Sequence, residues 1–80
     1  MSLLEHEIEK KVILLKLLVK EEDESIEEAL ASLSDTKMAT LQEIKRLFKE
    51  LQDSGYITEV GKLSMMGVVE AQKAKQEFSI

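Results

Sequence analysis

The reading of this chain turns on Thr40-Leu41-Gln42-Glu43-Ile44-Lys45-Arg46-Leu47-Phe48-Lys49-Glu50-Leu51-Gln52-Asp53-Ser54-Gly55-Tyr56-Ile57. Thr40 followed three residues later by Glu43 is a capping-box pattern, so a helix opens at Leu41. Leu41, Ile44, Leu47, Phe48 and Leu51 share one arc of the helical wheel. Gln42, Lys45, Arg46 and Lys49 gather on the opposite side, flanked by Glu43 and Glu50, and Asp53 lies on the polar side near the end. Gly55 ends the helix, because glycine tolerates the left-handed backbone there. Tyr56 to Val60 is β-branched and aromatic and reads as a strand. Lys62-Leu63-Ser64 reads as a short return strand after Gly61.

Before this stretch, Ser25-Ile26-Glu27-Glu28 forms another capping box. It opens a short helix from Ile26 to about Leu33, with Ile26, Ala29, Leu30 and Leu33 inward. Ser34 to Ala39 connects it to the next helix. Residues 3–20 read as a first helix, with Leu4, Ile8, Val12, Leu15 and Val19 at spacings of 4, 4, 3 and 4. Ile13, Leu14, Leu17 and Leu18 widen that stripe until the second half is apolar nearly all round. The surplus is expected to contact a second subunit, the alternative being that the other helices of the chain wrap this one completely. Glu21-Glu22-Asp23-Glu24 ends the helix by repulsion and by its unfavourable place at a negative helix terminus. After the expected hairpin, Ser64 caps a last helix, Met65 to about Phe78. Its candidate inward positions are Val68, Val69, Ala71, Ala74 or Lys75, and Phe78. Gly67 lies in its first turn, where glycine costs about 1 kcal/mol of propensity, so close packing is the expected reason for it.

The order is helix, helix, helix, strand, strand, helix. The stretch from Ile44 to Ile57, with Leu63-Ser64-Met65-Met66-Gly67 after it, resembles the winged helix-turn-helix family. There the recognition helix ends in Leu, a few polar residues, Gly and two apolar residues entering the wing, and a Leu-Ser/Thr-x-x-Gly step leads into the last helix. The resemblance spans residues 25 to about 70. It implies a mainly α domain with a small β-hairpin (α-α-α-β-β-α), occupying residues 1–80 as one unit. The connector from Ser34 to Ala39 is longer than the family's tightest turns, and the wing is short with Lys62 as its one base.

The resemblance also implies double-stranded DNA as the ligand, with the third helix in the major groove. Gln42 and Arg46 would then face base edges, where Arg pairs with guanine and Gln with adenine. Lys45 and Lys49 would meet phosphate. Lys37, Thr40 and Lys62 would hold the backbone around them. A monomer with so few basic contacts binds weakly, whereas a homodimer doubles them and reads two half-sites. Leu4, Ile8, Val12, Leu15, Val69 and Phe78 are the expected dimer surface.

Composition bounds these expectations. The chain has 80 residues, 16 acidic and 11 basic, with net charge -5. Residues 1–35 carry ten acids against four lysines, whereas Lys37–Glu50 holds four bases against two acids. The basic footprint is therefore local. The competing expectation is a protein-interaction module, in which the acidic first half meets a basic partner or mimics nucleic acid. An enzyme is not expected. There is no Cys and one His, His6. No carboxylate has a neighbour that would tune it for acid–base work. No cofactor or metal is expected either: the three glycines are scattered rather than forming a phosphate loop, and the acidic run lacks a calcium loop's glycine turn. The longest apolar runs are broken by Lys16, too short to span a bilayer. With no signal-peptide pattern, a cytoplasmic location is expected.

Overall fold

The computed structural model describes residues 7–35 and 39–78. They form four helices: α1 (Glu7–Val19), α2 (Ile26–Ser34), α3 (Leu41–Asp53) and α4 (Met65–Phe78). Local chemistry sets their ends. Ser25 Oγ accepts from the Glu28 N–H at 3.1 Å while the Glu28 carboxylate accepts from the Ser25 N–H at 3.0 Å, completing the box at α2. Thr40 Oγ1 accepts from the Glu43 N–H at 3.1 Å and caps α3. α1 stops at the acidic run, where Lys20 Nζ donates to the carbonyls of Glu21 and Glu24.

The core is one cluster built mainly of Ile13, Leu14 and Leu17 from α1, Leu30 and Leu33 from α2, and Ile44, Leu47 and Leu51 from α3. Tyr56, Ile57 and Ala71 complete it. α1 is the central element and touches each of the other three helices. Its partnership with α4 is close because α4 turns small residues inward: Gly67, Ala71 and Ala74 are buried. Lys11 Nζ reaches the Glu77 carboxylate at 2.7 Å. The start of α1 thus lies beside the end of α4, and the two run antiparallel.

The expected β-hairpin, and with it the winged α-α-α-β-β-α architecture, is not formed. Among the described residues there is no strand, only an isolated antiparallel bridge between Ile57 and Leu63. The reason is how this segment spends its polar groups. The Tyr56 and Ile57 N–H groups both donate to the Leu51 carbonyl, completing the end of α3. Thr58 N–H donates to the Lys62 carbonyl at 2.7 Å and Gly61 N–H to the Thr58 carbonyl at 3.0 Å, closing a tight turn. Gly61 holds φ +86° in that turn. Ser64 N–H donates to the Tyr56 carbonyl at 3.0 Å. A ladder needs residues left to extend it, and a turn this close to the bridge leaves none.

Gly67 has the packing role that its cost implied. A Cβ at this position would stand 2.0 Å from the Tyr56 carbonyl oxygen, so only glycine lets α4 start against the 55–57 segment. Ala71 and Ala74 are buried as expected, Ala74 rather than its alternative Lys75, whereas the inward assignments of Val69 and Phe78 are corrected, since both are exposed. An α4 that packs this closely on α1 has room inside only for small residues.

Candidate functional site

The polar face of α3 forms as its spacing requires. Ile44, Leu47 and Leu51 are fully buried, which turns Gln42, Lys45, Arg46, Lys49 and Asp53 to solvent. These positions fall within about 100° of arc opposite the core, at 100° per residue. The helix is about 20 Å long at its 1.5 Å rise.

The electrostatics of this face are less basic than its side chains suggest. α3 carries Lys45, Arg46 and Lys49 against Glu43, Glu50 and Asp53, so its formal charge is zero. Arg46 is held on both sides: its guanidinium pairs with Glu43 one turn back and with Glu50 one turn on. Lys49 Nζ lies 3.9 Å from Asp53, with both side chains mostly exposed, so that pair holds the lysine weakly. Lys45 has no carboxylate partner among the described residues, and Gln42 is exposed beside it.

Glu50 has a second duty. Its carboxylate also lies 3.0 Å from Nζ of Lys10, a lysine of α1 that is only 1% exposed. A buried ammonium is tolerable only when paired, and Glu50 supplies a charge from the neighbouring helix. The chain Lys10–Glu50–Arg46–Glu43 therefore joins the inside of α1 to the solvent face of α3. Sequence reading missed Lys10, because a lysine inside an amphipathic helix reads as a solvated residue.

The remaining expected contacts are dispersed. Thr40 is exposed and engaged as the α3 cap. Lys62 is exposed on the tight turn and lines a groove of about 400 Å³ with Leu17, Ile26, Val60 and Leu63, to which α3 contributes no residue. Lys37, Leu4 and His6 lie outside the described residues.

The expected dimer residues divide between two helices. Ile8, Val69 and Phe78 are exposed, while Val12 and Leu15 are half-buried. Val69 lines an apolar groove of about 480 Å³ with Tyr56, Met65, Met66 and Glu70. Met65, 86% exposed, is the most open large apolar residue described. A separate acidic ridge runs along the α1–α2 connection, where Glu21, Glu22, Asp23, Glu27 and Glu28 are all exposed.

Two titrations are displaced. Hydrogen bonds from the Lys11 ammonium to the Glu77 and Glu7 carboxylates hold that lysine above its usual range. The Ser25 N–H, with the Ser25 side chain, holds the Glu28 carboxyl below the ordinary carboxylate range. Neither group has the burial of a catalytic acid or base. Among the described residues no cluster of His, Asp and Glu could hold a metal ion, and no helix is long and apolar enough to cross a membrane. Comparison with protein families, curated proteins and solved structures finds no match to this chain.

Proposed function

We propose that this protein binds double-stranded DNA as a homodimer through the solvent face of α3. The observation that carries the reading is the placement of Gln42, Lys45, Arg46 and Lys49 along one solvent face of a rod whose other face is locked into the core. A helix of this kind fits the roughly 12 Å width of the major groove. Lys45 and Lys49 are the phosphate contacts, and Gln42 reaches base edges. Arg46 joins them by exchanging its carboxylates for phosphate or guanine, at the cost of its two ion pairs. The reading no longer uses a wing. It assigns Lys62 no contact in common with α3.

The test is fluorescence anisotropy with labelled mixed-sequence duplex at about 50 and 200 mM salt. If a dimer makes about four phosphate contacts, affinity falls about a hundredfold across that range. A Lys45→Glu/Lys49→Glu variant loses binding, while its circular dichroism stays native because both side chains are exposed. Absence of binding by the folded wild-type protein at low salt overturns the reading.

A second reading is supported by the acidic ridge of Glu21, Glu22, Asp23, Glu27 and Glu28. These carboxylates would dock a basic protein partner, or mimic the charge of nucleic acid. Loss of a captured basic partner on Glu21→Lys/Glu22→Lys, with no DNA affinity in the wild type, would select it over the first.

A further inference from the structure

α1 has two apolar faces: the core takes one fully and, of the other, Val12 packs partly against it. Ile13, Leu14 and Leu17 point inward. Ile8, Val12, Leu15 and Val19 recur at spacings of 4, 3 and 4, which puts them within about 60° of arc on the opposite side of the same helix. Ile8 is 64% exposed and Val19 56%, with Val12 and Leu15 half-buried between them. α2, α3 and α4 all pack on α1, and Ile8 and Val19, at the two ends of this seam, are the large apolar residues of α1 that they leave exposed. Its spacing is that of the a and d positions of two successive heptads, with Val at a and Ile and Leu at d.

We infer that this seam is the dimer contact and that the two α1 helices meet antiparallel. The inference rests on the homodimer proposed above and adds its surface, orientation and register. Charge decides the orientation. Glu9 and Lys16 flank the seam on one side, and Lys11 flanks it on the other, where Glu77 and Glu7 hold it. In a parallel pair, Lys11 of each copy faces Lys16 of the other, two like-charge contacts. In an antiparallel pair, flanking positions on the same side of the seam face each other, so Glu9 of each copy meets Lys16 of the other. Lys16 lies 3.5 Å from Glu24. An ammonium has three donors, so it can serve both carboxylates. The same two-fold axis, crossing between residues 13 and 14, pairs Ile8 with Val19 of the second copy and Val12 with Leu15 of the second copy. The contact is self-complementary, as a two-fold interface requires.

The absence of native Cys makes the orientation directly readable by cross-linking. Ile8→Cys and Val19→Cys are prepared separately, and both sites are exposed, so neither variant disturbs the core. Antiparallel pairing sets the two copies of residue 8 about 16 Å apart, eleven residues of helix rise. That is beyond the roughly 7 Å Cα separation a disulfide tolerates. Under mild oxidation, each variant alone stays uncross-linked and their equimolar mixture forms a disulfide heterodimer. Efficient cross-linking of Ile8→Cys alone means a parallel pair and overturns the inference. Failure of all three samples to cross-link, with sedimentation showing a monomer up to about 500 µM, overturns the interface itself. No DNA is present in these experiments, so their outcome stands apart from that of the anisotropy test. As a charge check, Glu9→Lys and Lys16→Glu each weaken the dimer at low salt, and the double variant restores it.

Discussion

α1 and α3 have the same length, 13 residues each, and opposite habits. α3 is two-sided: apart from Leu41, exposed at its start, its apolar arc packs in or against the core and everything else is polar. α1 is apolar on two opposite sides, and it buries a lysine instead of exposing it. In α3 the hydrophobic pattern reports where the core is. In α1 the same pattern reports the core and also a second seam whose ends, Ile8 and Val19, stay exposed. Apolar content on a helix is thus evidence about its total contacts, of which the contacts within one chain are a part.

The sharpest way to break this contrast is to truncate one leucine on each kind of surface. Leu47→Ala in α3 removes a fully buried side chain and costs about 2–5 kcal/mol in urea unfolding. Leu15→Ala on the α1 seam costs the monomer far less and instead lowers the dimer fraction seen by sedimentation. Equal losses of monomer stability would mean that the seam is part of the core.

Next in size is the link between the two helices. Glu50→Gln leaves the buried Lys10 ammonium without the Glu50 charge and costs about 1–3 kcal/mol. Lys10→Met replaces the ammonium by a side chain of similar volume and is close to neutral, because Glu50 is partly exposed and keeps Arg46. A Lys10→Met variant less stable than Glu50→Gln would overturn the asymmetry.

The smallest effect belongs to the α2 cap, which reaches neither helix face. The Glu28 carboxyl titrates below its usual 4.5 when folded. Its contribution is therefore present above that value and is lost as pH falls through the lower folded value. Stability of the wild type and of Glu28→Gln should converge as the medium is acidified below about pH 4.5. Parallel curves down to pH 3 would show that the cap carboxylate is not coupled to folding, a comparison that urea melts at stepped pH provide.

Much of the local structure was legible in residue order. Capping boxes placed the starts of α2 and α3, the acidic run placed the end of α1, and Gly67 announced a close approach before its neighbour was known. The polar face of α3 followed from spacing alone. Its ion pairs were legible too: Glu43 and Glu50 stand three and four residues from Arg46, the separations at which helical side chains meet. The hairpin was not. Tyr56 to Val60 has strand-forming side chains, but a ladder needs residues on both sides of a bridge, and here the turn between Thr58 and Lys62 closes one side while α4 starts at Met65 on the other. Propensity describes one residue's preference, whereas a ladder is a contest for partners.

The sequence by itself determined where α2 and α3 begin, where α1 ends, and which side of α3 is polar. These are set within a few residues along the chain, by caps, periodicity and charge repulsion. Only the tertiary structure decided that Lys10 is buried against Glu50, that Gly67 admits the Tyr56 carbonyl, that the wing reduces to one bridge, and which side of α1 stays open. Each of those depends on what a distant segment brings within a few ångströms, and helical spacing carries no record of that.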